Sequence, residues 1–151
     1  MSDADEAEER GLLSVRQARD EDGPHVRRIV TEALLIRGFD APDTGRDADL
    51  ADLAYYRAPG RGAWVATLPD GRVVGVAALD EGDRRLALLR RLSGRGLPAL
   101  TRAAVAFAQG RGYSGIETVL PPSMAEARRA VEGEGFAPSG PRNNLLFRRS
   151  L

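Results

Sequence analysis

The stretch AFAQGRGYSGIETVLPPSMAEARRAVEGEGFAP, residues 106–138, is the most informative part of the chain. It reads as the end of a helix, a glycine turn, a short apolar strand, a second helix and a stop at Gly135 before Phe136. Ser123 and Glu126 have the spacing of a capping box, which predicts the start of the second helix. A strand between two helices is typical of an α/β domain.

The segments on either side continue this alternation of strands and helices. The predicted order is β-α-α-β-β-β-α-β-α-β-β, with a mixed central sheet of six or seven strands flanked by about four helices. The predicted strands are 12–18, 63–68, 72–79, 85–92, 114–120, one that starts at Phe136, and 144–151. The predicted helices run from Asp20 to about Arg37, from a cap at Asp49, from Pro98, and from the Ser123 cap.

Length and composition limit the possible classes of protein. The 151 residues suggest one domain over 12–151, preceded by a disordered acidic leader at 1–11. The chain has no Cys and one His, which excludes disulfides, thiolate catalysis and His-rich metal sites. All 22 basic residues are Arg, which excludes Schiff-base chemistry by a lysine. With no run long enough to span a membrane, a cytoplasmic protein is expected.

The net charge of zero conceals a difference between the two halves of the chain. Residues 1–83 carry 10 Arg against 18 acidic residues, and residues 84–151 carry 12 Arg against 4. A basic half suggests an anionic partner, although solvated helix faces explain it equally well. The densest basic residues are Arg90, Arg91, Arg95 and Arg102. No aromatic residues interleave with them, so the pattern does not favour a single-stranded nucleic acid as the partner.

In order and spacing, the chain from about residue 13 to 150 resembles the GNAT superfamily of acyl-CoA-dependent N-acyltransferases. The resemblance is carried by VRQARDED (15–22), DLAYYRAPGRGAWVA (52–66), PDGRVVGVAAL (69–79) and the stretch 106–138. It implies the GNAT fold and an acetyl-CoA-dependent N-acetyltransferase that acts on a small-molecule or peptide amine. It also implies that a homodimer can form through the last strand. The residues it assigns to acetyl-CoA are Leu89, Leu92, Gly94, Arg95, Gly96, Leu97 and Ser123.

The sequence departs from this family at the residues that would handle acetyl-CoA and protons. In the family signature R/Q-x-x-G-x-G/A, only Gly96 conforms, because Ser93 stands at the Arg/Gln position and Pro98 at the second glycine. Pro98 removes a backbone N–H, and the loop before it is shorter than in the family. Leu88 and Val131 stand where many relatives have a Glu base and a Tyr acid, and neither can move a proton.

Three functions stay open at this stage. The first is an N-acetyltransferase, either fully active or impaired, with Glu117 as the remaining candidate base. The second is a catalytically inactive GNAT-fold binding or regulatory module. The third is an anion- or nucleic-acid-binding domain that uses the basic half. Each candidate also has a plain structural explanation: Gly94–Gly96 as an ordinary turn, Ser123 as a helix cap and Glu117 as an exposed strand residue.

Overall fold

The computed structural model describes residues 2–40, 47–140 and 146–151. These residues form a seven-stranded sheet with helices on both faces. The strands are β1 (Ser14–Gln17), β2 (Gly62–Thr67), β3 (Val73–Glu81), β4 (Leu86–Gly94), β5 (Gly115–Val119), β6 (Ala137–Pro138) and β7 (Leu146–Ser150). The helices are α1 (Asp3–Glu9), α2 (Gly23–Ile36), α3 (Ala48–Ala51), α4 (Leu97–Gly110) and α5 (Ala125–Gly133), with 3₁₀ turns at Asp20–Asp22 and Leu53–Arg57.

The strand order across the sheet is β1-β2-β3-β4-β5-β7-β6. Neighbouring strands are antiparallel except β4 and β5, which are parallel because helix α4 connects them. The predicted mixed α/β sheet is therefore confirmed. β6 forms the sheet edge and pairs with β7 at Phe147 and Arg148, so pairing of two copies through β7 stays a prediction.

Two apolar cores lie on opposite faces of the sheet. Helices α4 and α5 cover one face, where Leu100, Val131 and Phe147 are buried. Helix α2 and the turn at Leu53–Arg57 cover the other, with Val26 fully buried beneath them. Because both faces are covered, β3 is apolar along most of its length instead of alternating with polar residues. In the described part of the chain, no helix combines the length and the apolar character needed to cross a membrane.

The leader predicted to be disordered is helical, so that prediction is wrong for residues 3–9. Ser2 is the N-cap of helix α1, and its side chain accepts a hydrogen bond from the backbone N–H of Asp5 at 3.1 Å. Acidic residues in its first turn favour the helix through its dipole. Its Ala7 is buried, and Glu8 accepts a hydrogen bond from the backbone N–H of Gly96. The polar segment has too few apolar residues to be stable as a separate helix, and these contacts with residues distant in sequence stabilise it.

Two further local predictions fail. The predicted capping box at Ser123 is wrong, because α5 begins after Met124 and has no side-chain cap. Asp49 does not cap α3 either, since Asp47 occupies the N-cap position and the Asp49 side chain is buried. The start of the last predicted strand, at Asn144, lies outside the described residues.

Candidate active site

A cavity of about 350 Å³ lies where β4 and β5 separate. Their pairing covers only Leu86–Leu88 with Gly115–Glu117, although both strands run on beyond these pairs. The walls come mainly from apolar side chains of α2, β4 and β5. Of the predicted site residues, Leu89, Leu92 and Glu117 line the cavity. The parting strands thus form a groove that suits a narrow and largely apolar ligand.

The β4 wall of this cavity contains a β-bulge. Ala78 lies opposite Arg90 and Val76 lies opposite Ser93, so Arg91 and the residue after it share one partner on β3. Arg91 adopts a φ of 61°, in the left-handed region. A bulge disrupts the ladder locally and leaves one residue without its regular partner. The backbone of β4 can therefore offer a polar group to a ligand at this point.

Arg91 connects the bulge to helix α3. Its Nη2 donates to Asp47 Oδ1 and to Asp49 Oδ1, both at 2.7 Å, and its Nε donates to Asp49 Oδ2 at 3.1 Å. The Tyr56 hydroxyl donates to Asp49 Oδ2 at 2.5 Å. Burial alone would raise the pKa of Asp49, but the bonds from Arg91 and Tyr56 bring it below its ordinary value. The network fixes α3 against the strand that lines the cavity.

A second carboxylate network lies at the end of β3. Asp80 accepts hydrogen bonds from the Tyr55 hydroxyl at 2.5 Å, from Arg61 Nε at 3.0 Å and from Arg90 Nη1 at 3.2 Å. The backbone N–H of Glu81 donates to it as well, at 2.8 Å. Burial would raise the pKa of Asp80, but these donors and charges lower it below the usual range. A carboxylate stabilised in this way is a poor proton acceptor.

Asp80, Leu88 and Glu117 form a row across three adjacent strands. Leu88 lies opposite Asp80 in the β3–β4 ladder and opposite Glu117 in the β4–β5 ladder. Partners in a ladder share a face of the sheet, so the three side chains lie side by side. Glu117 is 4.0 Å from Arg148 Nη1, a weaker pairing than Asp80 has. Leu88 has no group that can move a proton and Asp80 is held by four donors, so Glu117 is the carboxylate of this row that stays as the candidate base.

The predicted phosphate turn joins β4 to α4 and is closed tightly against β3. A Cβ at Gly94 would lie 2.3 Å from the Val74 carbonyl oxygen, and a Cβ at Gly75 would lie 1.9 Å from the Arg95 carbonyl oxygen. Gly94 and Gly96 also have φ values of 86° and 75°, which favour glycine. The ordinary-turn interpretation therefore accounts for both glycines.

The polar groups of this turn are already engaged. The Arg95 N–H donates to the Val74 carbonyl at 2.9 Å, and the Gly96 N–H donates to Glu8 Oε1 at 3.2 Å. The Arg95 guanidinium forms an ion pair with Asp5. Helix α1 thus covers the turn with two carboxylates.

Comparison with known proteins identifies the architecture. No protein-family model and no curated protein sequence matches the chain significantly. Among solved structures, an acetyltransferase of the GNAT family from Staphylococcus aureus matches with a TM-score of 0.78 and 14% identity, over 92% of this chain and 99% of the other. A GNAT superfamily phosphinothricin acetyltransferase from Sinorhizobium meliloti, solved in complex with AcCoA, matches with a TM-score of 0.76 and 18% identity, over 93% of this chain and 89% of the other. A GCN5-related N-acetyltransferase from Kribbella flavida matches with a TM-score of 0.73 and 20% identity, over 94% of this chain and 99% of the other. The chain has the GNAT fold.

Within this GNAT fold, two positions that the family resemblance links to the site, Val131 and Ser123, do not line the cavity. Val131, a residue of α5, is fully buried in the core between α4, α5 and the sheet. Ser123 uses its carbonyl oxygen to accept a hydrogen bond from Arg37 Nε at 3.3 Å, which links α2 to the start of α5. The neighbouring Met124 and Arg37 line the cavity. The assignment of Ser123 to acetyl-CoA stays a prediction.

The four arginines that the sequence groups together, Arg90, Arg91, Arg95 and Arg102, do not form a shared anion-binding face. Each of the four contacts at least one carboxylate, and the pairs involve different elements of the GNAT fold. These pairs are Arg90 with Asp80, Arg91 with Asp49, Arg95 with Asp5, and Arg102 with Glu134. Paired charges attract a polyanion less than a patch of unpaired cations, so this arrangement disfavours the nucleic-acid alternative.

Asp80 and Asp49, the carboxylates at the centre of the two networks beside the cavity, are residues whose roles the sequence did not predict. Asp80 follows an apolar strand and reads as the first residue of a turn, yet β3 continues through it to Glu81. Asp49 reads as a helix cap. For Asp80, the sequence did contain a signal. An acidic residue at the end of a buried strand, followed by a strand with arginines, indicates a buried ion pair.

Proposed function

We propose that this protein is an acetyl-CoA-dependent N-acetyltransferase that transfers the acetyl group to an amine of a small molecule or peptide. The observation that carries the proposal is the groove of about 350 Å³ between β4 and β5, with a β-bulge in its wall. The GNAT fold supports it, because structures that share this fold include an acetyltransferase in complex with AcCoA.

The groove fits the acyl arm of acetyl-CoA better than the turn fits its pyrophosphate. The apolar walls, with Leu89 and Leu92, suit the arm, and a backbone N–H at the bulge would bind the thioester carbonyl. At the turn, Pro98 has no N–H, which leaves the N–H groups of Leu97 and Ala99 from the first turn of α4. We therefore expect acetyl-CoA to bind weakly.

The proposed reaction uses proximity and one base. The amine nitrogen attacks the thioester carbonyl carbon, and Glu117 takes the amine proton, directly or through water. The C–N bond forms, the C–S bond breaks, and the leaving thiolate takes a proton from water because Val131 cannot supply one. A missing acid costs about 10²–10⁴-fold in rate, so turnover is expected to be slow.

A second candidate, a GNAT-fold module that binds without catalysis, is favoured by Leu88. This leucine stands between Asp80 and Glu117, at the position where the resemblance places a base. A domain that kept the groove and lost the catalytic base would bind acetyl-CoA without transferring its acetyl group to an amine.

Turnover with a panel of primary amines separates these two candidates. The release of free CoA is followed with a thiol-reactive chromophore, and the protein contributes no background because it has no Cys. We expect slow release that Glu117→Gln reduces further, by about 10²-fold. Glu132→Gln, at an exposed position of α5, is the matched control and keeps the rate. Saturable binding of acetyl-CoA with no turnover of any amine would favour the binding module.

A further inference from the structure

Helix α1 occupies the turn at which α4 begins. The Glu8 carboxylate accepts a hydrogen bond from the Gly96 N–H at 3.2 Å, and Asp5 forms an ion pair with Arg95 on the same turn. Leu13, just after the helix, lies next to Gly96. The acidic leader is thus in direct contact with the one part of the chain that matches the family signature.

These contacts reproduce the chemistry of a bound polyphosphate. A helix N-terminus carries partial positive charge and N–H groups without intrahelical partners, so it favours an anion. Here Glu8 supplies that anion to the 14-residue helix α4, and Asp5 supplies a second one to the adjacent guanidinium. Two carboxylates on successive turns of α1 therefore stand in for two phosphate groups.

The docking of α1 is held by contacts that water and salt weaken. The side chains of Asp5 and Arg95 are 33% and 38% exposed, and the pair between Asp3 and Arg72 is more exposed still. Ala7 is the buried residue of the helix. Ion pairs with this exposure contribute little, so α1 can leave the turn without disturbing the core.

We propose that α1 is an internal competitor of acyl-CoA: its Glu8 and Asp5 carboxylates occupy the groups at Gly96 and Arg95 that the pyrophosphate needs. The proposal rests on the proposed function, since it concerns the same site. Docking of α1 and binding of the pyrophosphate exclude each other. The apparent affinity for CoA is therefore reduced by the fraction of molecules in which α1 is docked.

Calorimetric titration of the intact 151-residue chain with CoA tests this proposal. In the double variant Asp5→Asn/Glu8→Gln, both carboxylates lose their charge while Ala7 and the helix are kept. We expect CoA to bind about tenfold more tightly to this variant than to the unmodified protein. The matched control is Glu6→Gln/Glu9→Gln, which removes the same charge from exposed positions of the same helix and changes the affinity less than about twofold.

Hydrogen exchange of residues 3–9 supplies a second readout. We expect CoA at saturation to remove the protection of these amides in the unmodified protein. Equal CoA affinity in the two double variants, or protection that persists when CoA is bound, would overturn the role of α1 and leave the proposed function intact. Absence of CoA binding in every variant would overturn both, because the turn would then not be a CoA site.

Discussion

Replacing Arg91 with Met removes the charge that joins the β-bulge to α3 and keeps most of the side-chain volume. Arg91 donates three hydrogen bonds of 2.7–3.1 Å to Asp47 and Asp49. The side chains of Arg91, Asp47 and Asp49 are only 13%, 9% and 4% exposed. The variant therefore leaves two buried carboxylates without their main counter-ion.

The expected loss of stability follows from that burial. Breaking a buried pair by removing one partner costs about 3–5 kcal/mol. The lower limit applies here, about 3 kcal/mol, because Tyr56 still donates to Asp49 and Arg90 lies 3.8 Å from it. For a domain of this size, about 2–4 °C accompanies each kcal/mol, so the Tm falls by about 6–12 °C.

Urea denaturation of Arg91→Met, Asp49→Asn and the double variant measures the loss in free energy of unfolding. It also gives the coupling energy between Arg91 and Asp49. Residues in one ionic network couple by about 0.5–3 kcal/mol, and we expect a value above about 1 kcal/mol here. Arg102→Met is the control, because its pair with Glu134 leaves the arginine 63% exposed, and it should cost less than about 1 kcal/mol. A loss of stability for Arg91→Met no larger than that of the control, or negligible coupling to Asp49, would show that Arg91 does not stabilise the buried carboxylates.

Three further outcomes are expected. Gly75→Ala places a Cβ 1.9 Å from the Arg95 carbonyl oxygen, so it should lower the free energy of unfolding by about 1–3 kcal/mol in urea denaturation, and an unchanged midpoint would contradict this packing. The pKa values of Asp49 and Asp80 are lowered by folding, so their stabilisation is complete above the unfolded pKa and is lost as the pH falls through the folded pKa. Denaturation curves should therefore be unchanged from pH 7 to about pH 5 and shift to lower urea below about pH 4, whereas stability that rises in acid would contradict the assignment. The acetyl-transfer rate should rise with pH as the amine loses its proton and show no falling limb, because Val131 does not titrate, whereas a bell-shaped profile would reveal an acid elsewhere.

The fold was predictable because local signals agreed along most of the chain. Apolar periodicity, glycine stops and the hairpin signal at residues 69–71 placed the strands and helices within a few residues of their observed ends. The parallel β4–β5 pair also follows from the helix between them. These signals depend on neighbours in sequence.

What sequence reasoning missed depends on residues far apart in the chain. The contact that holds α1 joins Glu8 to Gly96, 88 residues away, so the leader by itself reads as disordered. Asp49 is buried because Arg91, 42 residues away, neutralises it, and by itself it reads as a cap. A charged residue can be predicted to be buried only when the residue that pairs with it in the fold is known.

Calorimetric titration of the 151-residue chain with acetyl-CoA tests whether the groove between β4 and β5 binds this ligand. The groove account predicts saturable binding that is weaker than about 1 μM, or about −8 kcal/mol. Ala33→Trp, which fills the cavity from its α2 wall, should abolish it, whereas Ala106→Trp at an exposed position of α4 should not. No binding at millimolar acetyl-CoA, or equal binding by the two Trp variants, would contradict the claim that the groove between β4 and β5 is an acetyl-CoA site.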